Sequence, residues 1–252
     1  MNRLRIRHVA GFRYAADANA SYNEARMAPL TGDGQTVLSF RLDIRPQSQQ
    51  YAYTDAWGTQ VTAFEVLAPH SQLTLEARSL VEVARDVPGG GRPRAERLGW
   101  AELERAASGS VRLAEQARQT RRTRPPGEVV DLAQRLAASA TGPSAAAEAI
   151  CESVREHVRY VRGVTGVDST AADAWGQRRG VCQDIAHIAL GALRAARVPA
   201  RYVSGYLHPD TEPQVGQTAV GESHAWVEWF DGAWTGFDPT NGSPIGNRHV
   251  LV

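Results

Sequence analysis

Residues 178–206, RRGVCQDIAHIALGALRAARVPARYVSGY, hold a helix, its start, its stop and a strand in one stretch. Apolar residues recur at helical spacing over 181–197, with Ile185, Ala189, Ala192 and Ala196 as a stripe. Pro199 ends the helix, and ARYVSGYL (200–207) reads as a strand. Gly180 is expected to let the backbone turn sharply into the helix. Cys182 then falls at or just inside a helix N-terminus. Unpaired N–H groups and the helix dipole favour negative charge there, and the thiolate is the reactive form of cysteine. A lone cysteine in that place is as readily a small buried hydrophobe, so the reading needs partners.

The stretch GESHAWVEWFDGAWTGFDPTNG (221–242) supplies them. HAWVEWF and AWTGFDPT are two strands joined around Asp231 and Gly232. A histidine beside the sulfur can take its proton and return it to a leaving amine. An aspartate on the far ring nitrogen fixes the tautomer and supports the imidazolium. Singly, His224 could be a satisfied strand histidine and Asp238 a turn cap before Pro239. Cys182, His224 and Asp238 in that order, on helix, strand and strand, point to nucleophilic attack on a carbonyl. That chemistry constrains the hairpin. A two-residue turn would put Asp238 on the face away from His224. A three-residue loop, 231–233, sets Asp238 opposite Trp226 and on the face of His224. We expect that register, or a bulge of equal parity.

Working outward, RLRIRHVAGFRY (3–14), VLSFRLDIRP (37–46), TQVTAFEVLA (59–68) and QLTLEARSLVEV (72–83) alternate apolar and polar residues. They predict an antiparallel, β-sandwich-like domain over 1–85, with turns at 32–34 and 57–59. DVPGGGRP (86–93) should break structure, and 86–127 reads as a linker with a helical segment. From Arg85 to Arg124, ten arginines are interspersed with five acidic residues, as on a solvated helical surface. Helices are expected over 128–138 and 145–160, the second capped by Thr141 or Ser144. Cys151 reads as a buried structural cysteine and His157 as a packed or surface residue. A β domain followed by helices and then strands is an α+β order, with the core over 128–252.

Composition excludes some classes. Hydrophobic residues are 42%, charged residues 22% and the net charge is +1, as in an ordinary globular protein. Neither a nucleic acid nor a membrane surface is demanded as partner. No apolar run approaches the ~20 residues of a membrane helix. The start lacks a signal peptide's apolar centre, and two cysteines suit a reducing compartment, so a cytoplasmic location is expected. No metal-binding pattern is present, and none is expected to be needed. All 28 basic residues are arginine; lysine, the usual amine donor in protein cross-linking, is absent.

The blocks GVCQDIAHIALGALRAARVPARYVSGYL (180–207), HAWVEW (224–229) and FDPTNG (237–242) resemble the core of the transglutaminase-like superfamily, in the family's order. YNEARMAPL (22–30) and DAWGTQV (55–61) resemble pieces of the β domain that bacterial members carry in front. The resemblance implies a papain-like core with helices packed on an antiparallel sheet. It implies a triad of Cys182, His224 and Asp238, and acyl transfer from amides through a thioester. It implies no cofactor; the acidic loops of the calcium-dependent animal enzymes are not found. It also leads us to expect a further edge strand and tail beyond Val252. The expected substrates are a protein or peptide carrying glutamine or another amide, and an amine or water as acceptor. Hydrolysis by the same triad, as in a peptidase or amidase, is the alternative, followed by a non-catalytic interaction module.

Oxyanion stabilisation needs two donors. The Cys182 backbone N–H is the first, and Gln177, Trp175 and Tyr160 are candidates for the second. Gln183 and Asp184 follow in the first helical turn, where Asp184 is expected to stabilise the helix start. His187 is expected to support the site or the core rather than act as a base. Trp226, Trp229 and Trp234 could wall the cleft, with core packing the default for strand tryptophans.

Overall fold

The computed structural model describes residues 2–32, 34–85 and 97–252. The stretch 86–93 and Asp33 of the first expected turn lie outside them. The chain forms two compact units. One comprises Met1–Arg85, Gly205–Ala219 and Asn247–Val252; the other comprises Asp86–Ser204 and Val220–Gly246.

In the first unit the alternating sequence builds β1 (Asn2–Ala18), β2 (Ser21–Ala25), β3 (Gln35–Arg45), β4 (Gln50–Thr54), β5 (Gln60–Val66) and β6 (His70–Val83). They form two three-stranded antiparallel sheets, β1-β6-β3 and β2-β5-β4. The two-residue period decides which side chains turn inward. On β6, Leu73, Leu75, Ala77, Val81 and Val83 are buried and the residues between them are half-buried or exposed, apart from the buried Ser79. Leu73, Leu75 and Ala77 share one apolar cluster with Leu42 and Ile44 of β3 and with Phe64 and Val66 of β5. The sheets therefore face each other across it, as a sandwich. The turn expected at 57–59 is held by Asp55, whose Oδ1 accepts from the N–H groups of Trp57 (2.9 Å) and Thr59 (3.0 Å).

The second unit carries α1 (Trp100–Ser108), α2 (Val111–Gln116), α3 (Gly127–Ser139), α4 (Pro143–His157), β7 (Arg159–Tyr160), α5 (Ala171–Gln177), β8 (Arg179–Gly180) and α6 (Cys182–Ala195). There follow β9 (Ala200–Leu207), β10 (Ser223–Phe230), β11 (Trp234–Asp238) and β12 (Ser243–Pro244). The sheet order is β12-β11-β10-β9. The last three residues of β9 belong to the first unit, where they pair with β13 (His249–Leu251).

The helix α6 is the centre of this unit. A one-sided stripe was expected, but every residue from Asp184 to Leu193 is buried. A helix apolar around its whole circumference belongs inside a protein. Ile185, Ile188, Leu190 and Leu193 pack in one cluster with Val129 of α3, Ile150 and Val154 of α4, Trp175 of α5 and Val227 of β10. Each such buried side chain contributes about 1.5–3 kcal/mol. Gly191 is required by close approach: a Cβ there would lie 2.0 Å from the Thr123 carbonyl oxygen. The helix ends in a Schellman motif. Val198 N–H bonds to the Leu193 carbonyl (3.0 Å) and Arg197 N–H to that of Arg194 (3.1 Å), with Arg197 left-handed at φ 61°. Pro199 follows, as the sequence indicated.

One cap differs from expectation. Gly142 is the N-cap of α4 and Pro143 its first residue. The Ser144 hydroxyl instead turns inward and bonds to the buried carboxylate of Asp231. That carboxylate also accepts from Thr235 Oγ1 (3.2 Å) and pairs with Arg97 Nε (3.5 Å).

Candidate active site

Cys182 is the first residue of α6, so its backbone N–H has no acceptor within the helix. A parallel pairing of β7 with β8, Tyr160 against Gly180, delivers the chain to that point. The turn is fastened by Asp184, whose Oδ2 accepts from the Val181 N–H (2.8 Å) and from Thr165 Oγ1 (2.6 Å). Asp184 thus stabilises the helix start, as expected. Gly180 serves differently from the expectation. Its backbone is not left-handed; a Cβ there would meet Asp184 Cβ at 2.7 Å, so the glycine makes room for that carboxylate.

The hairpin of β10 and β11 has the three-residue register that the chemistry required. Phe230 pairs with Trp234, Trp229 with Thr235 and Val227 with Phe237, leaving Asp231, Gly232 and Ala233 as the loop. Continued one step, the ladder sets Asp238 opposite Trp226 and on the face of His224. There His224 Nε2 meets Asp238 Oδ2 at 2.7 Å. Asp238 is fully buried and well held. Its Oδ1 accepts from the backbone N–H groups of Thr240 (2.9 Å) and Asn241 (3.1 Å), and its Oδ2 from Asn241 Nδ2 (2.6 Å). The aspartate caps its turn and holds the histidine at once.

His224 is hydrogen-bonded to Cys182 as well as to Asp238. Because Nε2 faces Asp238, Nδ1 is the nitrogen left for the sulfur. Burial is the largest single influence on this imidazole and pulls its pKa down. The hydrogen bonds to Asp238 and Cys182, and their negative charge, outweigh burial and push it up to about 9. At neutral pH His224 is therefore an imidazolium with a proton to give. Cys151 is the contrast: it is wholly buried in α4, and burial pushes its thiol well above the ordinary range. Among the described residues no group of three or more His, Cys, Asp or Glu could hold a metal ion, and no helix is long and apolar enough to cross a membrane.

Residues 130–239 match the model of the transglutaminase-like superfamily, and residues 4–82 that of the bacterial transglutaminase-like N-terminal region. The chain belongs to the transglutaminase-like superfamily. An uncharacterized protein of Mycobacterium leprae is 40% identical over 252 residues, spanning 100% of this chain and 88% of that protein. A protein-glutamine gamma-glutamyltransferase of Pseudomonas aeruginosa is 37% identical over 82 residues, 31% of this chain and 12% of that enzyme. Among solved structures, a candidate cysteine protease from Cytophaga hutchinsonii superposes with a TM-score of 0.74 at 19% identity, covering 99% of this chain and 80% of that one. The fold is therefore the α+β arrangement expected from the sequence: an antiparallel β domain and a papain-like, transglutaminase-like core.

Within this transglutaminase-like core the remaining candidates separate. Trp175 donates its indole N–H to Glu128, stacks with His157 (5.4 Å) and lies under the Arg178 guanidinium (4.1 Å). That withdraws it as an oxyanion donor. Tyr160 is 42% exposed beside the segment entering Cys182, with its hydroxyl hydrogen-bonded to Arg162. Gln177 is exposed at the end of α5, and Gln183 is half-buried next to Cys182. Neither amide has a protein hydrogen-bond partner among the described residues. Trp226 is fully buried with its ring 6.3 Å from that of His224. Trp229 and Trp234 are packing residues: Trp229 Nε1 donates to Ser144 Oγ (3.3 Å), and Trp234 lies under the Arg201 guanidinium (4.2 Å). His187 is buried, and burial lowers its pKa.

Three residues were missed by the sequence reading. Asn241 was legible, since an asparagine three positions after an aspartate in a DPTN turn can reach back to it. Thr165 and Tyr202 carried no local signal; only the fold brings them to Asp184 and to His187, whose ring lies 5.4 Å from that of Tyr202.

Proposed function

We propose that this chain is a cysteine acyltransferase acting on side-chain amides of the glutamine type. The observation that carries the reading is the hydrogen-bonded series from Cys182 through His224 to Asp238 at the start of a buried helix. Cys182 Sγ attacks the amide carbonyl, and its backbone N–H faces the developing oxyanion. The C–N bond breaks as the His224 imidazolium protonates the leaving nitrogen, which departs as ammonia. A thioester remains. A primary amine then attacks it, with neutral His224 taking the amine's proton, and the thiolate leaves. Asp238 keeps the imidazole in its tautomer and orientation.

The gamma-glutamyltransferase relative favours transfer over hydrolysis, although it matches only a third of this chain. Water in place of the amine makes the same site an amidase or peptidase. The test supplies a glutamine-containing peptide with and without a fluorescent primary amine. Amine incorporation that outruns ammonia-releasing hydrolysis, and that vanishes in Cys182→Ala, supports the proposal. Hydrolysis indifferent to the amine, or cleavage of the peptide backbone, moves the assignment to hydrolase. Full activity in Cys182→Ala overturns both.

A further inference from the structure

Two polar atoms of α6 are buried without a hydrogen-bond partner: Asp184 Oδ1 and His187 Nδ1. They lie three residues apart on one helix, so they share a face. Asp184 is 0% exposed and His187 8%. Asp184 has no ion-pair partner among the described residues, and its second oxygen is left over once Val181 and Thr165 are bound. A buried carboxylate oxygen with no donor is costly to keep. Burial lowers the pKa of His187, with the Asp184 charge opposing it and the Arg122 and Arg194 charges adding to it, so the neutral ring keeps one nitrogen that can accept. The Tyr202 ring stands beside His187 at 5.4 Å. Tyr202 is 39% exposed; partial burial, then the charges of Cys182 and Asp184, raise its hydroxyl's pKa, and the charge of Arg122 opposes them, so the hydroxyl lies within electrostatic reach of all three.

We propose that Asp184, His187 and Tyr202 form a binding site for an ammonium group on the face of α6 that Asp184 and His187 share. Two acceptors, one of them anionic, call for a small donor-only cation, and an aromatic face adds to its attraction. The inference deepens the acyl-transfer reading, which offers two sources of that chemistry: the ammonium formed from the released ammonia, and the head of the acceptor amine. Its binding test needs no turnover, so the two can fail separately.

The test uses the full chain carrying Cys182→Ala, with the ring resonances of His187 followed by NMR. Titration with ammonium chloride is expected to shift them saturably, while sodium chloride at equal ionic strength does not. Butylammonium acting at the same site identifies the acceptor head as the occupant; ammonium alone acting identifies the released product. In Asp184→Asn the half-saturating concentration is expected to rise about tenfold or more, the worth of one charged hydrogen bond. Because Asp184 also holds the helix start, Tyr202→Ala, which leaves that latch intact, should weaken binding as well. No saturable shift with either cation, or an equal response to sodium, would show that water alone fills the site and overturn the proposal.

Discussion

Asp238 and His224 meet at 2.7 Å because the hairpin between them has three loop residues and not two. The side-chain period of a strand is two, so removing one loop residue sends Asp238 to the other face. Deleting Ala233 is therefore expected to reduce turnover at least as far as Asp238→Ala does. Both should fall by about a thousandfold or more, as when a triad aspartate is lost. Steady-state kinetics on the glutamine peptide would check this. A deletion variant more active than Asp238→Ala would mean that the register does not position the pair.

The two cysteines should react very unequally. Cys182 is partly exposed at a helix start beside His224, whereas Cys151 is wholly buried with its thiol pushed up by burial. Limited iodoacetamide at neutral pH, followed by peptide mapping, is expected to label Cys182 first. Equal or faster labelling of Cys151 contradicts the assignment of the nucleophile.

The elevated His224 pKa fixes the direction of two pH effects. Protonation of the leaving nitrogen needs the imidazolium, so acyl-enzyme formation should decline as pH rises through about 9. The folded value lies above the ordinary 6.5, so the stabilisation that His224 contributes is complete below about 6.5 and is lost as pH rises through about 9. In Asp238→Asn, both the alkaline limb of the rate and this loss of stability should move to lower pH. A pH–rate profile and thermal melts across that range measure the two. An alkaline limb left unmoved by Asp238→Asn would detach it from His224.

Much of this was legible because it rests on local rules. The alternation in 72–83 placed β6, the parity argument placed Asp238 against His224, and the Cys182 helix start followed from residue order. What stayed hidden depended on long-range packing. The α6 stripe understated burial, because a helix surrounded by α3, α4, α5 and β10 buries all its faces. Ser144 reads as a cap by residue type, yet the fold brings Asp231 to it from 87 residues away. Trp175 sits close to Cys182 in sequence, but Glu128 on another helix takes its N–H.

Asp231 is a structural counterpart to Asp238 on the same hairpin. It is 0% exposed and held by Ser144, Thr235 and Arg97, with its backbone carbonyl accepting from Leu98 N–H (2.9 Å). Removing one member of a buried charged network costs about 3–5 kcal/mol, because its partners are left unpaired. Asp231→Ala is expected to lower the melting temperature on the order of 10 °C, with His224 chemistry retained in the molecules that remain folded. A melt within a degree or two of the parent would mean that the network contributes little.

The absence of lysine makes a prediction about the protein as its own substrate under the proposed activity. Glutamines are present on the chain's surface, Gln177 among them, so an acyl donor is available in every copy. Lysine as acceptor is not. Across 252 residues the only primary amine is the α-amino group of Met1, since all 28 basic residues are arginine. A guanidinium stays protonated at any working pH and is a poor nucleophile toward a thioester. Incubated alone, the protein is expected to stay free of lysine-type covalent ladders on denaturing gels. Adding a diamine should produce ladders or, where surface glutamines are poor donors, incorporate the amine into an added glutamine peptide only. Ladders formed without any added amine, resistant to reduction and with cross-links mapped away from the Met1 α-amino group, would show that some other group accepts the acyl chain and that the lack of lysine does not limit the acceptor.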